Sequence, residues 1–375
     1  MRRTALALVL AGSITSCSSG LTTPPATESA AASTPSPAAD EVLGGQIAYS
    51  AGEDSQIFLL DLATGESRQL TDLTDEDARL TSHGPIRPVI SCGFGVSGLA
   101  WSPRGSPLAF TYGGCEGVLH VVDPDGTMTR IGDGRGPAWS PDGNHLVFSS
   151  NSPFCMGADC GSPPHPGAWN LQVADVDTGD PPVPLMVDEA TSGAGQPTWS
   201  PDGTLIAFSG QVVNPERDDL FAASWVAHGD GSDARHLLNG TWPLGWLPDG
   251  RLLITDERTG IVHALDLDTG DTVAIGGGLS GPLEVSPDGE RFVTSITDPA
   301  TGAMGVQLVT IGGEVLVERP GSPGAWAPDS RAIAIVDLEG AGGIVILDRD
   351  GTELRTYALP PAVNVHPIVA WRPEG

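Results

Sequence analysis

Lysine is absent from this 375-residue chain, and its 18 basic residues are all arginine, set against 47 acidic ones for a net charge of −29. Without a basic stripe to displace phosphate counterions, nucleic-acid binding is excluded. Adhesion of the protein surface to anionic lipid is disfavoured on the same ground, so any attachment to a membrane falls to a lipid. Long apolar runs are missing as well: the stretch Ala5 to Ala11 is too short to span a bilayer as a permanent helix. No Gly-x-Ser-x-Gly nucleophile elbow occurs. The many Asp-Gly turns lack the downstream glutamate of a calcium-binding loop, which leaves them to ordinary turn chemistry.

What the N-terminus does have is Arg2 and Arg3, the short apolar run, and then small residues up to Ile14-Thr15-Ser16-Cys17. That is the layout of a secretory signal over residues 1–16. Its end resembles the lipobox of bacterial lipoproteins, which implies lipidation of Cys17. Residues 17–42 carry almost no large apolar side chain and are rich in Pro, Ala, Ser and Thr, so they read as a disordered tether that cannot offset the entropy of ordering. The folded domain is expected over 43–375, on the outer face of the cytoplasmic membrane. Cys17 apart, four cysteines remain: Cys92, Cys115, Cys155 and Cys160. An even number in an exported domain points to two disulfides. A hairpin turning near Arg104 sets Cys92 opposite Cys115, and Cys155 with Cys160 then closes a small loop. The rival reading, a zinc site with His165 nearby, lacks a second close cysteine pair.

The folded part is built on one recurring phrase. Ala138 to Phe148 reads AWSPDGNHLVF, and related phrases are centred on Trp101, Trp139, Trp199, Trp246, Val285, Trp326 and Trp371, at intervals of 38, 60, 47, 39, 41 and 45 residues. Proline presets φ for the second position of a type I turn, aspartate tolerates the third, and glycine takes the left-handed position that follows. Each phrase is therefore a strand, a tight turn and a second strand. Further turns at Asp123 to Gly126, Asp177 to Gly179, Asp268 to Gly270 and Asp348 to Gly351 add a second hairpin to each unit. A period in the forties composed only of strands predicts an all-β propeller with four-stranded antiparallel blades, lettered A to D from the channel outward.

The chain ends complete the prediction. Gln46 to Ser50 is a B-type strand with no A strand before it, while His366 to Trp371 is an A strand with nothing after it. Joined, they finish one blade, which closes a seven-bladed ring and removes its exposed edges. The Trp-Ser-Pro-Asp-Gly phrases resemble the repeats of the TolB-type, WD-like β-propeller family from about Gly44 to the C-terminus. The resemblance implies the fold; for function it implies either a binding platform or the propeller portion of certain serine peptidases, whose hydrolase domain has no room here.

Two function classes follow. The first is an exported, monomeric lipoprotein whose propeller binds a cell-envelope protein or a small ligand, with no catalytic residue, metal or cofactor. The second is a propeller hydrolase or lactonase-like enzyme with a site at the central channel. On the predicted A strands Glu284 is the sole carboxylate and His366 the sole imidazole, too few for a hard cation. Six of the nine tryptophans occupy the repeat position, where packing between blades accounts for them. The long connections, Asp72 to Gly95, Asn151 to Ala168, Asp188 to Gln196 and Gln211 to Asp219, all fall on the face opposite the short turns. That face is the expected recognition surface, with Phe94, Phe154, Trp169 and Arg217 as contact candidates.

Overall fold

The computed structural model describes residues 44–51, 55–73, 80–81, 84–85, 95–113, 117–151, 169–185, 192–214, 219–276, 283–297, 302, 304–337, 342–359 and 368–374. All regular structure among them is β, and no helix there is long and apolar enough to cross a membrane.

The local cause is visible in each repeat turn. At Ser140 to Gly143 the Gly143 N–H donates to the Ser140 carbonyl at 2.8 Å, and the Ser140 N–H donates to the His145 carbonyl at 2.9 Å. Gly143 adopts φ +70°, a conformation that a side chain would strain. The Ser140 hydroxyl donates to Asp142 at 2.6 Å and accepts the His145 N–H at 2.9 Å, so the serine ties the turn to the strand behind it. Among the departures from the phrase, three turns still close in the same way. Arg104 replaces the aspartate in a turn where Gly105 N–H meets the Ser102 carbonyl at 2.8 Å. Ser330 stands in the glycine position at φ +61°, and its N–H reaches the Ala327 carbonyl at 2.9 Å. Val285 is followed by a regular Ser286 to Gly289 turn, closed at 2.8 Å.

In chain order the strands are β1 (Gln46–Ala51), β2 (Gln56–Asp61) and β3 (Ser67–Gln69), followed by the short ribbon β4 (Leu80–Thr81) and β5 (Gly84–Pro85). Next come β6 (Gly95–Trp101), β7 (Leu108–Gly113), β8 (Val118–Val122) and β9 (Met128–Trp139), then β10 (His145–Asn151), β11 (Trp169–Asp175) and β12 (Val183–Leu185). A further group is β13 (Ser192–Trp199), β14 (Leu205–Asn214), β15 (Asp219–His228) and β16 (Arg235–Asn239). After it run β17 (Thr241–Trp246), β18 (Leu252–Asp256), β19 (Val262–Leu265) and β20 (Thr272–Gly276). The last two groups are β21 (Leu283–Val285), β22 (Arg291–Thr297), β23 (Met304–Thr310) and β24 (Val315–Pro320), and β25 (Ser322–Trp326), β26 (Ala332–Asp337), β27 (Gly343–Asp348) and β28 (Glu353–Ala358). The final strand is β29 (Val369–Trp371).

Hydrogen bonding sorts these into antiparallel sheets: β29-β1-β2-β3, β13 to β16, β17 to β20, β21 to β24 and β25 to β28 have four strands each, and β6 to β12 form one sheet of seven. The seven-stranded sheet exists because β9 is continuous. Its first half pairs with β8, from Val122↔Met128 to Val118↔Asp133, and its second half with β10, from Ser150↔Gly134 to Leu146↔Trp139. Gly134 at the changeover has no room for a side chain, since a Cβ there would lie 2.5 Å from the Phe148 ring.

The innermost strands touch one another in a closed circuit: β29, β6, the second half of β9, β13, β17, β21, β25 and back to β29. The sheets thus radiate from an axis as in a β-propeller. Apolar side chains pack between neighbouring sheets: Ile47, Tyr49 and Leu62 meet Ala334, Ile344 and Tyr357 in one such layer, and Phe208 and Trp225 meet Val147 and Leu171 in another. The repeat tryptophans add a directional tie. Trp101, Trp139, Trp246 and Trp326 each donate the indole N–H to a carbonyl on the preceding inner strand, at Ala370 (3.2 Å), Ala100 (2.9 Å), Thr198 (3.2 Å) and Glu284 (3.2 Å). Tryptophan suits this position because its ring fills the gap between sheets while its one donor remains usable.

The C-terminal strand closes the circuit by pairing with β1 at Tyr49↔Val369, Ala48↔Ala370 and Ile47↔Trp371. Arg372 fastens it: Nε donates to the Gly105 carbonyl at 2.7 Å, Nη1 to Gln46 Oε1 at 2.6 Å, and the guanidinium lies 5.2 Å from the Trp101 ring centroid. One connection differs from the sequence expectation. Of the connection Gln211 to Asp219, residues 211–214 and 219 belong to paired strands, since β14 and β15 stay paired out to Asn214↔Asp219; the β-forming stretches Gln-Val-Val-Asn and Asp-Leu-Phe-Ala continue the ladder, and residues 215–218 lie outside the described residues. Ser192 to Gln196 likewise belongs to strand β13.

Candidate functional site

The inner strands expose few groups with chemistry. Glu284, in the middle of β21, has an exposed side chain between buried Leu283 and half-buried Val285, as an axis-facing residue must. The hydration lost there raises its pKa to about 7. Among the described residues, no three His, Cys, Asp or Glu side chains converge as a metal site would require. Glu284 on its own can exchange a proton near neutral pH.

Two grooves, one within the seven-stranded sheet and one beside it, open on the face of the short turns. The first, a cavity of ≈ 790 Å³, lies where β9 leaves β8 for β10 and is lined by Arg104, Asp123, Arg130, Asp133, Asp175, Asp177, Asp180 and Pro182 among others. Its arginines are engaged: Arg104 pairs with Asp177 at 3.2 Å and Arg130 with Asp133. The second, ≈ 910 Å³, separates the β12 side of the seven-stranded sheet from β13 to β16. Pro141, Val173, Val183, Pro184, Leu185 and Trp199 give it apolar walls, and Asp142, Asp175, Asp202 and Asp230 line it with carboxylates.

These carboxylates are fixed by hydrogen bonds within their own turns. The Ser140 hydroxyl and the Asn144 N–H hold Asp142 below the usual carboxylate range, and the Ser200 hydroxyl and Thr204 do the same for Asp202. Hydrogen bonds from Ser232 lower Asp230. Asp175 accepts the N–H groups of Asp177 and Thr178 at 2.9 and 3.2 Å through Oδ1. Val183 is 66% exposed, the most open large apolar side chain among the described residues. Trp199, on the opposite wall, is the repeat tryptophan whose buried indole N–H has no hydrogen-bond partner, so the tie found at four other positions is not made at this one.

Most sequence-derived candidates fall elsewhere. Cys17, Cys92, Cys115, Cys155, Cys160, Phe94, Phe154, Arg217 and His366 lie outside the described residues. Trp169 is described through its backbone only, opening β11 opposite Asn151. The grooves were not anticipated, although their aspartates stand in the very turn phrases that define the repeats.

The fold and its grooves define a β-propeller. No protein-family model matches the chain, and no curated protein does. Among solved structures, it is similar to the oligogalacturonate lyase of Vibrio parahaemolyticus, with 18% identity and a TM-score of 0.53 over 78% of this chain and 83% of that one. It is also similar to prolyl oligopeptidase B of Galerina marginata, with 13% identity and a TM-score of 0.52 over 83% of this chain, which spans only 49% of that enzyme. TolB of Acinetobacter baumannii aligns at 17% identity and a TM-score of 0.48 over 85% of this chain and 79% of that one. At these identities the likeness is one of fold.

Proposed function

We propose that the chain is an exported lipoprotein, anchored through Cys17 at the outer face of the cytoplasmic membrane, whose seven-bladed propeller is a protein-binding module. The blade count follows if the seven-stranded sheet is read as two blades sharing β9, which supplies the outer strand of one and the inner strand of the next. Residues 1–16 are the signal and 17–42 the tether. Cys92 with Cys115 and Cys155 with Cys160 are the two disulfides, and the unit works as a monomer without cofactor.

The observation that carries this reading is the pair of wide grooves on a ring otherwise closed by strand pairing. A surface that combines open apolar wall with ordered carboxylates is suited to recognition. The competing reading, a propeller hydrolase or lactonase-like enzyme with a site at the central channel, draws on Glu284 and on the enzymes among the similar folds.

The test is crosslinking and pull-down from intact cells with the anchored protein, beside two variants. Cys17→Ala should move the protein from the membrane to a soluble fraction; a variant that stays on the membrane refutes the anchor. Cutting residues 151–168 to a tight turn should leave the melting temperature unchanged and reduce partner capture if the long-loop face contributes. Should the wild-type protein enrich no partner reproducibly, the binding-module reading is wrong.

A further inference from the structure

We propose that the groove between the β12 side of the seven-stranded sheet and the β13–β16 sheet holds a short basic peptide segment of a partner protein, its arginine or lysine among Asp142, Asp175, Asp202 and Asp230 and an adjoining apolar side chain against Val183 and Trp199. This deepens the binding-module reading and rests on it.

Comparison of the two grooves decides the ligand's charge. In the first groove Arg104 and Arg130 already pair with Asp177 and Asp133. Among the described residues no arginine lines the second; His145 in its lining and His228 beside Asp230 are the groups there able to carry positive charge. Its four carboxylates are therefore met by no arginine of the groove's described lining, and the hydrogen bonds of their own turns hold Asp142, Asp202 and Asp230 below the usual carboxylate range. A positive partner gains the full benefit of that field, whereas an acidic one is repelled.

The walls decide the rest. A cavity of ≈ 910 Å³ falls in the range of roughly 300–1,000 Å³ typical of ligand sites. Its apolar side, with Val183 exposed and the Trp199 ring opposite, would stay wet beneath a bare polyamine but is covered by a leucine-like neighbour of the cation. The outer edge of β12 does not invite an added strand, since Pro184 at its centre has no N–H to donate. The segment accordingly lies across the groove and leaves the sheet edge unpaired.

The test uses fluorescence anisotropy on the full-length protein with two labelled pentapeptides, Arg-Leu-Arg-Leu-Arg and Glu-Leu-Glu-Leu-Glu. The basic peptide should bind and lose affinity as salt is raised, and the acidic one should not bind. Replacing rim charges without removing the turn caps, as Asp175→Asn with Asp230→Asn, should weaken binding by about two- to fivefold per charge. Asp175→Glu with Asp230→Glu should restore it. Val183→Arg, which places a cation in the groove, should abolish it, and Asp123→Asn with Asp180→Asn in the first groove should change nothing. Melting temperatures of all variants identify any loss due to unfolding, in which case the Asp→Glu pair carries the decision.

Equal affinity for both peptides, indifference to the rim variants, or displacement by spermidine at the same concentration as by peptide would overturn the inference. If the anchored protein captures a partner in cells equally well with and without Asp175→Asn and Asp230→Asn, the groove assignment fails while the binding-module reading survives. If the peptides behave as expected but cells yield no partner, the binding-module reading fails and the assignment of a partner segment to the groove fails with it.

Discussion

Removing residues 368–375 should destabilise the whole propeller, although only β29 and the tail that follows it are lost. Val369, Ala370 and Trp371 are all buried, at 6%, 7% and 6% exposure. Fully burying a large apolar side chain stabilises by roughly 1.5–3 kcal/mol, so Val369 and Trp371 together account for about 3–6 kcal/mol. The truncation also takes away the Ala370 carbonyl, leaving the Trp101 indole N–H without its acceptor, and it removes the Arg372 bonds to Gly105 and Gln46. An orphaned buried donor costs about 1–3 kcal/mol more. The sum, on the order of 4–9 kcal/mol, is comparable to the whole stability of a domain, about 5–15 kcal/mol. With an unfolding entropy of about 2.1 cal/mol/K per residue over about 330 residues, the melting temperature should fall by roughly 6–13 °C. Circular dichroism melts and urea titrations of the full and truncated chains check this. A shift below a degree or two would show that β29 is not what holds the ring shut.

Two further outcomes follow from the inner strands. Trp139→Phe keeps an aromatic ring between the sheets but removes the donor to the Ala100 carbonyl, so denaturant titration should show a loss of about 1–2 kcal/mol; no loss would mean that the indole tie contributes nothing beyond packing. Glu284, with its pKa raised to about 7 in the fold from 4.5, favours the neutral acid there, so its contribution is present below pH 4.5 and is lost as pH rises through 7. Stability measured from pH 5 to pH 8 should decline more in the wild type than in Glu284→Gln, and a carboxyl resonance titrating in the ordinary range would refute the assignment.

The architecture was legible because each repeat turn is decided locally. Proline, aspartate and glycine impose their geometry within four residues, so the strands on either side of Ser140 to Gly143 could be placed without knowledge of the rest of the chain. Closure was legible for a related reason: an unmatched B strand at Gln46 and an unmatched A strand ending at Trp371 leave one complementary solution. The continuity of β9 across the seven-stranded sheet was not legible, since nothing between Met128 and Trp139 tells whether the chain breaks its ladder on passing inward. The hairpin of β14 and β15 was misread as a loop because its length marks an insertion without saying whether the inserted residues pair. The grooves were hidden for a deeper reason. Asp142 and Asp202 stand sixty positions apart, and only the packing of one sheet on the next brings their turns to a shared cleft.

The position of β1 within its sheet has a mechanical consequence. The chain enters the propeller at Gly44, and β1 is flanked on one side by β2 and on the other by β29. Tension arriving from the N-terminal side therefore loads an interior strand, which can leave only when both ladders give way together. Had the ring been closed by the first strand at an open edge, the same tension could have peeled it away one hydrogen bond at a time. Closing the circle from the far end of the chain places the point of traction where the sheet resists withdrawal on both sides.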